Sequence, residues 1–259
     1  MDISEASTAI TTAFPALSIN TISPFGVGWA NITWLVNGEF VFRFPKNARV
    51  AEATLREIRV LPALRSTLPT TVPDFRYAAP HGADVYPFAF AGYTLVPGIP
   101  LKEAPRGLDL TTPAGAMGAF LSALHRYPVS LATALGVPGG TAEDWRTEYA
   151  DWHEETRRLG APYLTVNEQA VVDAIMERFL QDDRHFAFTP VLLHRDLGEE
   201  HVLIDPRTCL LSGVIDFEDM SIGDPAFDFI GLTALGPGVA AAYQGPVDGG
   251  FGERMRFYT

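Results

Sequence analysis

The sequence predicts an α+β chain of two lobes: a small β-rich N-terminal lobe with one main helix, then a mainly helical C-terminal lobe. Three observations carry this. Strand-like runs crowd the first hundred residues, and Asn37-Gly38 between two of them is a two-residue hairpin signal, because both central positions need positive φ. One strongly periodic helix, from Ala48 to Ser66, interrupts the runs, with Leu55, Ile58, Leu61 and Leu64 at helical spacing. Beyond Gly98 the pattern turns helical.

In chain order, residues 1–16 read as a short helix with Ala6, Ala9, Ile10 and Ala13 on one side. Strands are expected at Leu17 to Ile22, Asn31 to Val36 and Glu39 to Phe44, with Ser23-Pro24-Phe25-Gly26-Val27-Gly28 as a break after the first. Pro62 disturbs the following helix near its end. Short extended runs fill Val72 to Phe90 between prolines, and Tyr93 to Gly98 is the linker. The division is therefore 1–96 and 97–259. Helices follow at Thr112 to Arg126, from Thr141 to about Leu159, and at Val166 to Leu180. Thr141 serves as N-cap, with Glu143 and Asp144 in the first turn. A β-rich patch closes the reading: Val191 to Leu193, Val202 to Ile204 and Leu211 to Ile215.

A chain of 259 residues, 47% hydrophobic and 19% charged, has the make-up of an ordinary globular protein with a sizeable core. Its net charge of −12 argues against nucleic acid or anionic membranes as partners. No apolar run is long enough to span a bilayer, and the acidic start lacks a secretory pattern, so a cytoplasmic location is expected. The single cysteine, Cys209, forms no internal disulfide and reads as buried filler between two apolar runs.

The chemistry concentrates in His194-Arg195-Asp196-Leu197-Gly198-Glu199-Glu200-His201 and Ile215-Asp216-Phe217-Glu218-Asp219. Asp196 and Asp216 each follow an apolar strand, and a hairpin between them is expected to bring both carboxylates to one mouth. Phosphoryl transfer needs such a pair. One carboxylate orients or deprotonates the attacking hydroxyl, and another holds Mg²⁺ on the nucleotide phosphates. The other reading is of loop acids that cap turns.

These residues resemble the aminoglycoside phosphotransferase family. His194-x-Asp196-x-x-x-x-His201 with Ile215-Asp216-Phe217 is similar to its catalytic and metal loops, and Gly223-Asp224-Pro225-x-x-Asp228-Phe229 to its next motif. The Gly26/Gly28 loop, Phe42-Arg43-Phe44-Pro45-Lys46, Arg56-Glu57-Ile58 and Leu124-His125-Arg126-Tyr127-Pro128 agree with it. The resemblance implies a protein-kinase-like fold, ATP or GTP as donor, and Mg²⁺. It implies Asp196 as catalytic base, Asp216 as principal metal ligand and His201 at the second metal position, with His194 and Asp224 as structural support. Nucleotide binding falls to Gly26, Gly28, Arg43, Glu57 and the hinge residues Thr94, Leu95 and Val96. Two departures stand out: Arg43 where the family often has Lys, and His201 where Asn is usual. His201 is also readable as a packed histidine, Arg43–Glu57 as a surface ion pair, and the glycines as a plain turn. Family members generally continue with further helices that wall the acceptor pocket, whereas this chain stops at Thr259.

Asp144, Glu148, Asp151 and Glu155 share one helix face beside Trp145, Tyr149 and Trp152. Such a face suits a cationic amino-sugar, and equally a solvated surface over a core stripe. Asp151, Glu155, Glu199, Glu200 and Asp219 are thus the acceptor-binding candidates. The expected function is transfer of a γ-phosphate to a small-molecule hydroxyl, an aminoglycoside first. A macrolide, a small alcohol or sugar, or a nucleotide-binding pseudokinase without turnover are the alternatives.

Overall fold

The computed structural model describes residues 1–80, 85–105 and 107–259. In chain order the elements are α1 (Ile3–Ala13), β1 (Ile22–Val27), β2 (Asn31–Val36), β3 (Phe40–Pro45), α2 (Ala48–Leu64), β4 (Phe75–Ala79), β5 (Phe90–Thr94) and β6 (Ile99–Pro100). Then come α3 (Thr111–His125), α4 (Val129–Ala134), α5 (Ala142–Gly160), α6 (Val166–Gln181), β7 (Val191–Leu193), β8 (Val202–Ile204), β9 (Leu211–Val214), β10 (Ser221–Gly223), α7 (Gly238–Ala242) and α8 (Phe251–Tyr258). The chain forms two compact units, Met1–Pro113 with Glu199–Asp219, and Ala114–Gly198 with Met220–Thr259.

The first unit is built on an antiparallel sheet in the order β1-β2-β3-β5-β4. Asn37 and Gly38 take φ 54° and 66° in the β2–β3 turn, as their sequence requires. The Asn37 side chain also accepts from the N–H groups of Asn20 and Thr21 and donates to the Ser18 carbonyl, so the turn anchors the approach to β1. Helix α1 opens with a capping box between Asp2 and Glu5. Its buried Ala6, Ala9 and Ile10 pack with Trp34, Val36, Phe42, Phe44 and Phe90. Each fully buried large apolar side chain contributes about 1.5–3 kcal/mol.

Two sequence readings need correction here. The first strand is not Leu17 to Ile22: β1 begins at Ile22 and runs through the proposed break. Proline fits because β1 is an edge strand, and the register slips between Pro24 and Gly26. Likewise Tyr93 and Thr94 belong to β5, not to a linker. A second small sheet, β6-β8-β9, completes the unit. Tyr93 and Val96 pack there with Val41 and Leu203. Cys209 is half-buried rather than core, at φ 57° in the β8–β9 turn, where its N–H bonds the Asp205 carbonyl.

The second unit packs Met117, Phe120, Leu121 and Leu124 of α3 fully out of solvent. Thr141 and Asp144 close a capping box on α5. Trp145 and Tyr149 then join Phe179, Phe186, Phe188, Val191 and Leu193 in one cluster. Phe257 of α8 stacks on Phe179 with centroids 3.6 Å apart. The expected three-strand patch does not form one sheet, because β7 pairs with β10 and β8 with β9. Gly223 in β10 has to be glycine, since a Cβ there would stand 2.2 Å from the Trp145 ring. Among the described residues no helix is long and apolar enough to cross a membrane.

Candidate active site

In the first unit, β3 and α2 bring a guanidinium and a carboxyl together inside the core. Arg43 and Glu57 are 3% and 0% exposed, which removes the surface-ion-pair reading. Arg43 Nη1 donates to Glu57 Oε2 at 2.9 Å, and its Nη2 donates to Asp216 Oδ1 at 3.0 Å and also pairs with Glu218. Glu218 in turn accepts from Asn31 Nδ2 at 2.9 and 3.0 Å and from the Thr54 hydroxyl at 2.9 Å. One guanidinium thus faces three carboxylates. Burial pushes the Glu57 carboxyl up to about 8 against the pull of Arg43, with Glu218 and Asp216 adding to the rise. Burial raises Glu218 as well. Asp216 takes φ 68°, a left-handed conformation uncommon outside glycine, Asn and Asp. The Phe217 N–H, next in the chain, bonds Glu57 Oε1 at 3.3 Å.

In the second unit, the loop after β7 is held by its backbone. The N–H groups of His194 and Arg195 each donate to the Asp228 carboxylate at 2.8 Å, and Asp228 is 1% exposed. His125 Nε2 lies 3.1 Å from the same carboxylate, and its Nδ1 lies 2.7 Å from the Tyr243 hydroxyl. Because the carboxylate accepts, Nε2 carries the hydrogen and Nδ1 takes that of Tyr243. Arg195 is at φ 72°, turning the chain so that Asp196 stands exposed. The Asp196 N–H donates to His194 Nδ1 at 3.3 Å. Behind the loop, a Cβ on Gly231 would come within 1.9 Å of the Leu197 carbonyl, so only glycine fits.

The first unit thus holds a buried Arg–Glu pair, and the second an acid on a braced loop. The family model described as "Phosphotransferase enzyme family" matches residues 21–256. The chain belongs to that family. The expectation of an enzyme, with phosphoryl transfer as its class of chemistry, stands on that membership. A solved complex of APH(2")-IIia with GDP and kanamycin is 26% identical, with a TM-score of 0.85 over 98% of this chain and 86% of that one. A macrolide 2'-phosphotransferase type I is 25% identical, with a TM-score of 0.76 over 100% of this chain and 88% of that one. The fold is thus α+β and protein-kinase-like. The uncharacterized protein YcbJ of Bacillus subtilis is 26% identical over 197 residues, which are 74% of this chain and 61% of that protein.

The phosphotransferase chain also spends several predicted residues locally. Thr94 and Leu95 give their N–H groups to Asp74 and Glu39 carbonyls, and Val96 is buried. The Gly28 N–H bonds the Asn31 carbonyl, and Gly26 accepts the Thr33 hydroxyl. Of the acidic α5 face, Asp144 is the capping-box residue, Glu148 pairs with Arg195 and Glu155 lies 3.6 Å from Arg158. Asp151, Glu200 and Asp219 are exposed, and Glu199 is half-buried. Trp145 and Tyr149 are core, whereas Trp152 is 44% exposed. Arg195 lies 5.1 Å from the Trp145 ring and 6.0 Å from that of Trp152, filling the box that the acids and aromatics make. Asp224 is buried against Arg254 and Tyr258.

Sequence reasoning missed Glu218, Asn31, Thr54 and His125 as parts of these networks. It quoted Asp228 within a motif without giving it a task. The available signal for Glu218 was its place two residues after Asp216 in the same motif.

Proposed function

We propose that the chain is a nucleotide- and Mg²⁺-dependent O-phosphotransferase that moves the γ-phosphate of ATP or GTP to a hydroxyl of a small, cationic acceptor, an aminoglycoside first. The observation that carries this reading is the exposed Asp196 on a loop whose backbone is pinned to buried Asp228. A general base needs a fixed position, and the backbone bonds to Asp228 supply one. Residues 1–96 form the nucleotide lobe in this reading, and 97–259 the catalytic and acceptor lobe.

The residues present suit a hard divalent ion. Asp216 Oδ2 lies 3.6 Å from His201 Nε2, and its side chain is 36% exposed. Glu57 and Glu218 crowd two further carboxyl groups around Arg43. Among the described residues no three His, Cys, Asp or Glu side chains form a closed metal site. Mg²⁺ is held in such open sites by one or two carboxylates, with waters and phosphates completing its shell. Asp216 and His201 would hold it, and it would neutralise phosphate charge. Arg43 and Glu57 orient Asp216, Gly26 and Gly28 shape the loop over the phosphates, and residues 94–96 flank the purine. Asp196 takes the proton of the acceptor hydroxyl. Asp151, Glu199, Glu200, Asp219 and Glu155 face the cationic acceptor, while His194 and Asp224 support the frame.

Phosphate transfer from ATP and from GTP, measured against aminoglycosides, macrolides and simple alcohols, tests the reading. Transfer to an aminoglycoside is the expected result. Nucleotide binding without transfer to any acceptor would leave a pseudokinase. A macrolide is the second reading, favoured by the loss of Asp144 and Glu148 to local partners and by an apolar groove of about 400 Å³ around Trp152, Ile175 and Ile230. If His201 is at the metal, His201→Asn keeps activity and shifts the Mn²⁺ to Mg²⁺ preference towards Mg²⁺, because imidazole favours softer ions. A lower melting temperature with unchanged metal preference would make it a structural histidine.

A further inference from the structure

Arg43, the residue at the family's usual phosphate-binding position, has its guanidinium committed. Both terminal nitrogens bond carboxylates, three in all, and the side chain is 4% exposed. A phosphate reaching Arg43 would have to displace the carboxyl groups of Glu57, Asp216 or Glu218 that already occupy its terminal nitrogens. The carboxyl oxygens around Arg43 therefore suit a metal ion better than a bare polyphosphate. A triphosphate needs another cation, and it has to lie at the glycine loop.

Lys46 meets that need. Its backbone N–H bonds the Ala30 carbonyl at 2.9 Å, and its Nζ reaches the Gly28 carbonyl at 2.5 Å. The lysine is thus tied at both ends to the β1–β2 loop, residues 28–30, which follows Gly26 of β1. The side chain is exposed, and among the described residues no carboxylate pairs with it. An ammonium has three donors, so the Gly28 bond leaves two for another acceptor. In a chain of net charge −12, a lysine bonded to this loop with no carboxylate partner among the described residues is a local exception. Arg49, exposed at the start of α2, serves as the comparison.

We propose that Lys46, rather than Arg43, is the side chain that contacts the polyphosphate of the donor nucleotide, and that Arg43 is a positioning residue for Asp216. This rests on the nucleotide-dependent reading above. The test is calorimetric titration of nucleoside, nucleoside diphosphate and nucleoside triphosphate, in the adenine and guanine series with Mg²⁺, into wild type, Lys46→Gln, Lys46→Arg and Arg49→Gln. Lys46→Gln is expected to weaken triphosphate binding by about tenfold or more, since a charge-assisted hydrogen bond is lost. The loss should shrink for the diphosphate and vanish for the nucleoside. Lys46→Arg should restore most of the affinity, and Arg49→Gln should match wild type. Equal triphosphate affinity in wild type and Lys46→Gln would overturn the assignment. So would equal losses in Lys46→Gln and Arg49→Gln, which would mean diffuse charge alone. Wild type that binds neither nucleotide series would instead overturn the donor reading on which the proposal depends.

Discussion

Asp196→Asn is expected to lower turnover on the true acceptor by about 10²–10⁴-fold while leaving nucleotide affinity nearly unchanged. Asparagine keeps the shape of the side chain and loses the anionic acceptor for the hydroxyl proton. The loop itself should not move, because its position depends on bonds from the His194 and Arg195 N–H groups to Asp228 and from the Asp196 N–H to His194. None of these uses the Asp196 carboxylate. The exposed side chain gives little reason for a change in melting temperature. Single-turnover kinetics with saturating nucleotide measure the effect directly. Near-normal turnover would remove Asp196 as the base. A fall in kcat with a parallel loss of nucleotide binding would point to a displaced loop.

The comparison of sequence with structure divides along the range of the interactions involved. The Asn37-Gly38 turn, the Thr141 cap and the α3 face of Met117, Phe120, Leu121 and Leu124 are local patterns, and the structure has each of them. Strand β1 failed locally because Pro24 and Gly26 normally stop a strand, while an edge position with a register slip tolerates both. The loop acids stand out in the sequence through their motif. Their supports do not, because a buried carboxylate announces itself only through partners distant in sequence. Glu218 is secured by Asn31, 187 residues away, and Asp228 by the backbone of the loop 33 and 34 residues before it. The partners of the acidic α5 stripe were hidden for the same reason. Periodicity showed four acids on one face, and only tertiary structure shows Glu148 matched to Arg195.

Arg254 gives the largest expected stability effect. It is completely buried, an arginine in α8 with no exposed surface. Its Nε and Nη2 donate to Asp224 at 2.5 and 3.1 Å, and its Nη1 and Nη2 donate to Asp248 at 2.8 and 2.7 Å. The same bonds hold the Asp248 carboxyl below the usual carboxylate range. Asp224 also receives the Tyr258 hydroxyl at 2.7 Å and the Ala226 N–H at 3.0 Å, but among the described residues no other cation bonds it. Arg254→Met fills most of the volume and leaves a fully buried carboxylate without its countercharge. Breaking a buried pair in this way costs about 3–5 kcal/mol. A loss of that size should lower the melting temperature by on the order of 10 °C. Removing the stranded charge should recover part of it, so Asp224→Asn combined with Arg254→Met is expected to be less destabilised than the sum of the single variants. Thermal melting of the three variants closes the cycle. Simple additivity would mean that Arg254 and Asp224 stabilise the unit independently, and an Arg254→Met variant that melts with wild type would show that α8 is held by its Phe257 and Tyr258 packing alone.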